Sequence, residues 1–174
     1  MNGSRGNAIE VTGGTAAITN ATIAGATAIS GDVMGYGLRQ SAGALTLRNS
    51  ILWDNALGGA SLAGDTADIA YTLSQEELAG TGNFSADPLF ADDTYRHLFS
   101  RGGYIADGWF GGRWTIERPR PGLRGMSPAI DRGDPHGNYA DEPEPHGRRL
   151  NLGAYGGTPY ASATIRQPSV IVLR

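Results

Sequence analysis

The chain has no cysteine among its 174 residues, so disulfide frameworks, thiolate metal sites and cysteine nucleophiles are excluded. No apolar run approaches the roughly 18 residues that a membrane-spanning helix needs. The first residues, MNGSRGNAIEV, have neither the charged nor the apolar region of a signal peptide. The net charge is −3, which offers no basic surface to a nucleic acid. We therefore expect neither a transmembrane segment nor a nucleic-acid partner.

Glycine, by contrast, is abundant, with 27 residues and about twice the average frequency, but without the Gly-x-y period of collagen. A hydrophobic content of 40% argues against intrinsic disorder, and the length fits one domain. Many glycines together with Ala, Thr and Asn are typical of short strands joined by tight turns. No window keeps an apolar stripe at helical spacing, so the sequence favours an all-β fold.

A weak internal repeat is the main organising signal. The segments AAITNATIAG and ALTLRNSILWDN align at an offset of 29 residues, which places Ile18 on Leu47 and Asn20 on Asn49. Each segment alternates apolar and polar residues over five or six positions. That alternation is the period of a strand with one buried face.

A third copy of the repeat, ADIAYTLSQ, follows at an offset of 22 residues and places Ile69 on Leu47 and Tyr71 on Asn49. Strand-rich units of this length favour a solenoid in which successive units stack. Asn20 and Asn49 then occupy equivalent bends and are expected to hydrogen-bond to each other along the stack. The alternatives are two ordinary turn asparagines and, for the fold, an immunoglobulin-type sandwich, whose hairpin signals are sparse here.

The repeat also predicts which apolar side chains form the interior. They are the inward positions of the three copies and of the strand that precedes them. The expected core residues are Ile9, Val11, Ile18, Ile23, Leu45, Leu47, Ile51, Ile69 and Leu73.

The rest of the chain divides into two parts. Residues 99–126 contain two of the three tryptophans and five arginines, which predicts a lateral loop or hairpin. Residues 127–158 hold three Asp, two Glu, four Pro and six Gly, the composition of an ordered, turn-rich closing segment. We expect one domain made of strand repeats (1–98), this lateral excursion, and a closing part (127–174) that ends in a strand at Val170–Leu173.

Four segments carry a resemblance to a known family: NSILWDN (49–55), TGNFSADPLFAD (81–92), SPAIDRGDP (127–135) and DEPEPHGRRLNLGAYGGTPYAS (141–162). In this order they resemble the C-terminal part of bacterial right-handed parallel β-helix repeat proteins, the surface or secreted chains related to pectate lyases and polymorphic outer-membrane proteins. The resemblance implies an all-β, right-handed parallel β-helix, with a loop-rich C-terminal end piece that shields the last coil. It also implies an extracellular or cell-surface location, and a chain that is part of a longer protein.

The closing segment contains a candidate calcium site. Asp131, Asp134, Asp141 and Glu142 are oxygen ligands at irregular loop spacing, which suits the six to eight ligands that Ca²⁺ takes. No calcium-loop motif accompanies them. The alternative is that these carboxylates cap turns and pair with nearby arginines, so Ca²⁺ is a candidate cofactor and not an assigned one.

The excursion contains a candidate glycan-binding surface. Trp109, Phe110, Trp114 and Tyr104 could stack on sugar rings. The alternative is that these aromatic side chains anchor the excursion by burying apolar area. No residue is assigned as catalytic, because carboxylates such as Asp54, Asp92 and Asp93 are not placed by any motif.

Two functions follow from these patterns. The first is a non-enzymatic surface or secreted protein with a structural, adhesion or glycan-binding role, in contact with a polysaccharide. The second is a carbohydrate-active enzyme, lyase or hydrolase, that acts on an acidic polysaccharide, and carboxylates converging with an arginine in a groove would favour it. We also expect self-association, or disorder, at the uncapped N-terminal unit (7–25), since open strand edges invite pairing.

Overall fold

The computed structural model describes residues 6–28, 35–62, 67–119 and 123–165, and within these ranges the chain is all-β without a helix. The predicted final strand at 170–173 lies outside the described residues. The strands are β1 (Ile9–Thr19), β2 (Thr22–Ala24), β3 (Tyr36–Arg48), β4 (Ile51–Trp53), β5 (Gly58–Leu62), β6 (Ala67–Ala70), β7 (Leu73–Ser74), β8 (Phe84–Ser85), β9 (Tyr104–Ala106) and β10 (Arg113–Thr115). Across the described part of the chain, no helix has the length and apolar character needed to traverse a bilayer.

The strands form two parallel sheets and one hairpin. In the long sheet, β3 is central, with β1 on one side and both β5 and β6 on the other. The short sheet has the order β2-β4-β7-β8. Ile18 pairs with Leu47 and Leu47 pairs with Ile69, which confirms the predicted repeat alignment at both offsets.

Each repeat turns from the long sheet to the short sheet at one residue with positive φ. These corner residues are Asn20 (49°), Asn49 (51°) and Tyr71 (50°), which the sequence alignment had placed on one another. Asparagine adopts the left-handed conformation more readily than most residues, and this accounts for its use at two corners. The corners therefore superimpose along the stack, and the repeats keep their register.

The corner asparagines do not bond to each other, so the predicted asparagine ladder is wrong. Asn20 Nδ2 donates to the carbonyl of Gly156 at 3.0 Å, and Asn49 Oδ1 accepts the N–H of Asp134 at 2.7 Å. Both partners belong to the closing segment. It passes along the outside of the corners and offers backbone groups within reach of the two amides.

The first hydrophobic core lies between the long and the short sheet. Leu38 and Leu47 are fully buried there, while the predicted core residues Ile9 and Ile18 lie half-buried at its margin. The buried members of this cluster are Val11, Ile23, Leu38, Leu45, Leu47, Leu52 and Ile69.

A second core covers the opposite face of the short sheet and corrects the prediction of a single interior. Ile51 and Leu73 are buried as expected, but they pack against Ala129 and Leu152 of the closing segment, not against Leu47. Successive strand residues point to opposite faces, so Ile51 points away from the first core when Leu52 points into it. A strand that is covered on both faces has apolar residues at consecutive positions. The sequence pattern therefore did not distinguish the two faces, and it did not predict the second core.

The closing segment supports the repeats from the side. Ala154 N–H donates to Thr22 Oγ1 at 3.0 Å, and Gly153 N–H donates to the carbonyl of Asn49 at 2.8 Å. The Arg149 guanidinium lies 5.7 Å from the ring centre of Tyr71. The segment thus reaches all three repeats, whereas the sequence predicted a shield for the last one. The apolar outer face of the short sheet explains this placement, since it extends over every repeat.

Candidate functional site

The excursion, for which the sequence predicted a lateral loop or a hairpin, contains an antiparallel hairpin, β9–β10. Tyr104 pairs with Thr115, and both side chains are buried. The Tyr104 hydroxyl donates to the carbonyl of Glu117 at 2.8 Å, and its ring lies edge-on to Phe99 at 5.7 Å. At 2% exposure Tyr104 offers almost no ring face for a sugar to stack on, and its role as a glycan-binding residue stays a prediction. The two-residue alternation of the hairpin turns it toward the core.

Trp109 and Phe110 lie at the turn of the hairpin and are exposed by 50% and 62%. Trp109 contacts Tyr95 edge-on at 5.3 Å, and Phe110 contacts Tyr160 edge-on at 5.0 Å. These four rings form what we call the aromatic tip. Sequence reasoning missed Tyr95 and Tyr160, because both lie outside the excursion, Tyr95 just before it and Tyr160 near the end of the described chain.

Trp114 has a different setting from the aromatic tip. Its ring covers the backbone of Gly103, where the ring would collide with any β-carbon. Gly103 also has a φ of 130°, which favours glycine. Trp114 remains 45% exposed, so it both anchors the hairpin and presents part of its ring to solvent.

A buried histidine, His97, supports the aromatic tip through its contacts with Gly108 and Tyr155. The ring of His97 stacks on Tyr155 with 3.7 Å between ring centres, and its Nε2 lies 3.0 Å from the carbonyl of Gly108. Burial lowers the pKa of His97, so the neutral ring donates Nε2–H to that carbonyl. Its Nδ1 is buried and has no partner within the described ranges. Burial and the nearby Asp92 carboxylate raise the pKa of Tyr155 to about 12, so its hydroxyl stays protonated and donates to the carbonyl of Tyr95 at 2.6 Å.

A cleft of about 390 Å³ opens beside the aromatic tip, between the hairpin and the loop that carries Tyr95. We call it the hairpin cleft. Arg113 lies between two of its carboxylates, 3.9 Å from Asp107 and 3.8 Å from Glu117. Carboxylates accept and guanidinium groups donate hydrogen bonds, so this wall matches a ligand rich in hydroxyl groups.

A second cleft, of about 320 Å³, lies on the other side of the same loop. We call it the acidic cleft. It is lined by Trp53, Asp54, Asp87, Phe90, Asp93 and Arg96. Sequence reasoning did not find it, because its members come from two distant stretches of the chain, the end of β4 and residues 87–96 after β8.

The predicted calcium ligands serve as caps of the closing segment. Asp131 Oδ1 accepts the N–H of Gly147 at 3.0 Å, and Asp134 Oδ1 accepts the N–H of His136 at 2.9 Å. Asp141 is exposed at the surface. Among the described residues, no three acidic or histidine side chains converge as a group that could hold a metal ion. The geometry matches the alternative of turn capping.

Glu142, the fourth of these carboxylates, is 5% exposed. Its Oε1 accepts the N–H groups of Asn151 at 2.8 Å and Gly157 at 2.7 Å. Burial raises the pKa of Glu142, although both hydrogen bonds act in the opposite direction. The side chain joins two separate stretches of the closing segment.

Two of the three arginines of the closing segment lie over aromatic rings. Arg132 lies 5.1 Å from the ring centre of Phe84, and Arg149 lies over Tyr71. Arg149 Nε also donates to the carbonyl of Gly133. These contacts join the closing segment to the repeats, so the two arginines attach it to the repeats instead of pairing with its carboxylates.

No protein-family model, curated protein or solved structure matches this chain significantly. The function therefore has to be inferred from the aromatic tip and the two clefts.

Proposed function

We propose that the protein is a non-enzymatic glycan-binding protein whose aromatic tip stacks on sugar rings. The observation that carries this proposal is the exposure of Trp109 and Phe110 on one hairpin turn, braced edge-on by Tyr95 and Tyr160. Aromatic side chains with one face in solvent are typical of binding surfaces. The C–H groups of a sugar ring are attracted to the negative face of such a ring.

The support beneath the tip favours binding. The hydrogen bond from His97 to Gly108 fixes the hairpin turn that carries the exposed rings, and the hydrogen bond from Tyr155 to Tyr95 fixes the segment that braces it. A surface that is ordered before the ligand arrives loses less conformational entropy on binding. The hairpin cleft adds acceptors and donors for hydroxyl groups next to the stacked ring.

The carboxylates of the clefts support binding over catalysis. Asp107 and Glu117 have side chains that are 78% and 76% exposed. A general acid for glycoside cleavage needs a carboxyl whose pKa is raised by burial. Glu142 has such a pKa, but both its hydrogen bonds go to the backbone of the closing segment. The hairpin cleft brings Asp107 and Glu117 together with Arg113, the arrangement expected of an enzyme that acts on an acidic polysaccharide, so that alternative rests on this cleft. The exposure of both carboxylates favours binding.

The proposal extends to the fold and its setting. Parallel sheets, a repeated left-handed corner and aligned repeats support a right-handed parallel β-helix, in line with the sequence resemblance. Proteins of that resemblance are bacterial, and are secreted or surface-bound. We propose the same location here, with a structural or adhesive role exercised through the glycan.

The proposal is tested by screening the full chain on a glycan array and titrating the best binder by calorimetry. Replacing Trp109 and Phe110 together by Ala is expected to weaken binding at least about tenfold, because stacked aromatic anchors dominate such surfaces. The matched control is Leu57→Ala, which removes another exposed apolar side chain outside the tip. Equal affinities for the wild type and the tip variant, or no binding to any glycan, would contradict the proposal.

A further inference from the structure

His97 is connected to both exposed rings of the aromatic tip. Its Nε2 lies 3.0 Å from the carbonyl of Gly108, the residue before Trp109. Its ring stacks on Tyr155 with 3.7 Å between ring centres, and Tyr155 in turn contacts Phe110 edge-on at 6.2 Å. The positions of both exposed rings therefore depend on one imidazole that is fully buried.

The surroundings of His97 match a neutral ring. A neutral ring with its proton on Nε2 donates to the carbonyl of Gly108 and leaves Nδ1 without a proton. Nδ1 is buried and has no hydrogen-bond partner in the part of the chain that the structure describes. Protonation would add an N–H donor at this atom, together with a charge, in a place that water does not reach. The ordered arrangement of the tip therefore disfavours the protonated ring.

The titratable groups next to His97 do not reverse this preference. The Asp92 carboxylate favours the cation, but it already accepts two backbone N–H groups of its own loop. Burial outweighs that carboxylate and the nearby backbone groups, so the pKa of His97 lies below its ordinary value. Tyr155, with a pKa of about 12, is neutral at physiological pH. Arg96, which precedes His97, lies 3.5 Å from Asp54.

We propose that His97 makes glycan binding at the aromatic tip dependent on pH, so that the glycan is bound at neutral pH and released in a mildly acidic medium. This inference rests on the proposed function and adds its regulation. The neutral ring keeps the hairpin turn and Tyr155 in the arrangement that presents Trp109 and Phe110 to the glycan. When these contacts open, His97 reaches water and takes up a proton near its ordinary pKa of 6.5.

The sign of the effect follows from proton linkage. The ordered tip binds fewer protons than the opened tip, so acidification favours the opened tip. The affinity for the glycan is therefore highest above about pH 6.5 and falls as the pH decreases, by at most about tenfold per pH unit for one proton.

The test is a calorimetric titration of the full chain with the best binder from the glycan array, between about pH 8 and about pH 5. The wild type is expected to lose at least about threefold more affinity over this range than His97→Gln. The glutamine amide can donate to the Gly108 carbonyl and does not ionise. Any titration of the glycan or of Glu142 is common to both proteins and cancels in the comparison. His136→Gln, which removes a side chain that is 91% exposed, is expected to follow the wild type.

A second measurement needs no variant and no glycan. The indole N–H signals of the wild type are followed by nuclear magnetic resonance over the same pH range. The Trp109 signal is expected to shift with a midpoint below pH 6.5, while the signal of Trp53, which lies in β4 of the repeats, stays in place. This titration also decides the question if His97→Gln does not fold.

Equal losses of affinity in the wild type and His97→Gln would overturn this inference and leave the glycan-binding proposal intact. A Trp109 signal that does not change with pH, or that changes only together with the Trp53 signal, would also overturn it. Failure of the wild type to bind any glycan at about pH 8 would overturn the proposed function itself.

Discussion

At the scale of single residues, the aromatic tip depends on a histidine that has to stay neutral. His97 is fully buried, and protonation would place a charge, with an extra donor at Nδ1, in a site that has no partner for it in the described structure. Gly108, Tyr155 and the more distant Asp92 carboxylate face the ring. Burial outweighs the hydrogen bonds and the Asp92 charge, which would favour the cation. The stability of the folded hairpin therefore depends on pH through His97.

The pH dependence of stability follows from this shift. The pKa of His97 in the folded chain lies below its ordinary value of 6.5, so the unfolded chain binds more protons as the pH falls past that value. The stabilisation is present above about pH 6.5 and is lost as the pH decreases. Glu142, whose pKa is raised, acts with the opposite sign over its own range. We expect thermal melting of the wild type to decline more steeply below pH 6.5 than melting of His97→Gln.

His136→Gln is the control for this comparison, because the His136 side chain is 91% exposed. That variant is expected to follow the wild type at every pH. Identical pH profiles for His97→Gln and the wild type would contradict the role given to His97.

We predict that Glu142 stabilises the closing segment by accepting hydrogen bonds and that its negative charge is not needed for this. Glu142→Gln keeps an acceptor for the N–H groups of Asn151 and Gly157 and removes a buried charge, so its free energy of unfolding should stay near that of the wild type. Glu142→Ala leaves two donors unpaired and should cost about 3 kcal/mol. Urea denaturation of the two variants gives the comparison. Equal destabilisation by both variants, or a Ca²⁺-dependent stabilisation that Glu142→Gln abolishes, would show that the carboxylate charge is needed.

At the scale of elements, the corners between the sheets determine how the repeats stack. Asn49 has a φ of 51°, and its amide accepts the N–H of Asp134. Asn49→Gly removes the hydrogen bond but tolerates the backbone conformation and should cost about 1 kcal/mol. Asn49→Ala also places alanine in the left-handed conformation and should cost about 2 kcal/mol. The two free energies of unfolding are compared directly, and equal values would mean that the corner conformation is not a source of strain.

The same elements show what the sequence could predict. Register followed from aligning Ile18 with Leu47 and Leu47 with Ile69, because side chains alternate with a strict period and one face is buried. The sequence did not indicate which of the two cores Ile51 joins. Its strand has three residues and is covered on both faces, so no polar position marks the side that faces solvent. The burial of Tyr104 did not follow for a related reason: its hairpin partner sets which way it points, and local sequence does not identify that partner.

At the scale of the whole molecule, the long sheet ends at β1 among the strands that the structure describes. β1 is the edge strand of the long sheet, and Ile9 and Ile18 remain half-buried where their partners Leu38 and Leu47 are fully buried. Exposed strand edges with apolar margins pair with other strands. Self-association through this side therefore stays a prediction, with β1 as the paired element.

Sedimentation over a range of concentrations measures this association. The wild type is expected to form larger species as its concentration rises, and Ala17→Lys, which places a charge on the exposed side of β1, is expected to stay monomeric. A wild type that is monomeric throughout would contradict the prediction.

Residues from distant parts of the chain form the clefts, and for this reason the sequence did not predict them. Asp54 follows a strand of the second repeat, and Asp93 lies in a loop beyond the last strand of the short sheet. Stacking of the repeats brings such residues to one surface. Their spacing along the chain does not indicate that they are neighbours in the fold. The aromatic tip was easier to foresee, since Trp109 and Phe110 are adjacent, although their partners Tyr95 and Tyr160 were not.

Glycan binding at the aromatic tip is tested most directly by a nuclear magnetic resonance titration that follows the indole N–H signals of the three tryptophans with the best binder from the glycan array. Each indole reports a separate place: Trp109 the aromatic tip, Trp53 the acidic cleft, and Trp114 the opposite strand of the hairpin. We predict that this glycan shifts the Trp109 signal. A Trp109 signal that stays in place while the glycan saturates the protein would contradict glycan binding at the aromatic tip.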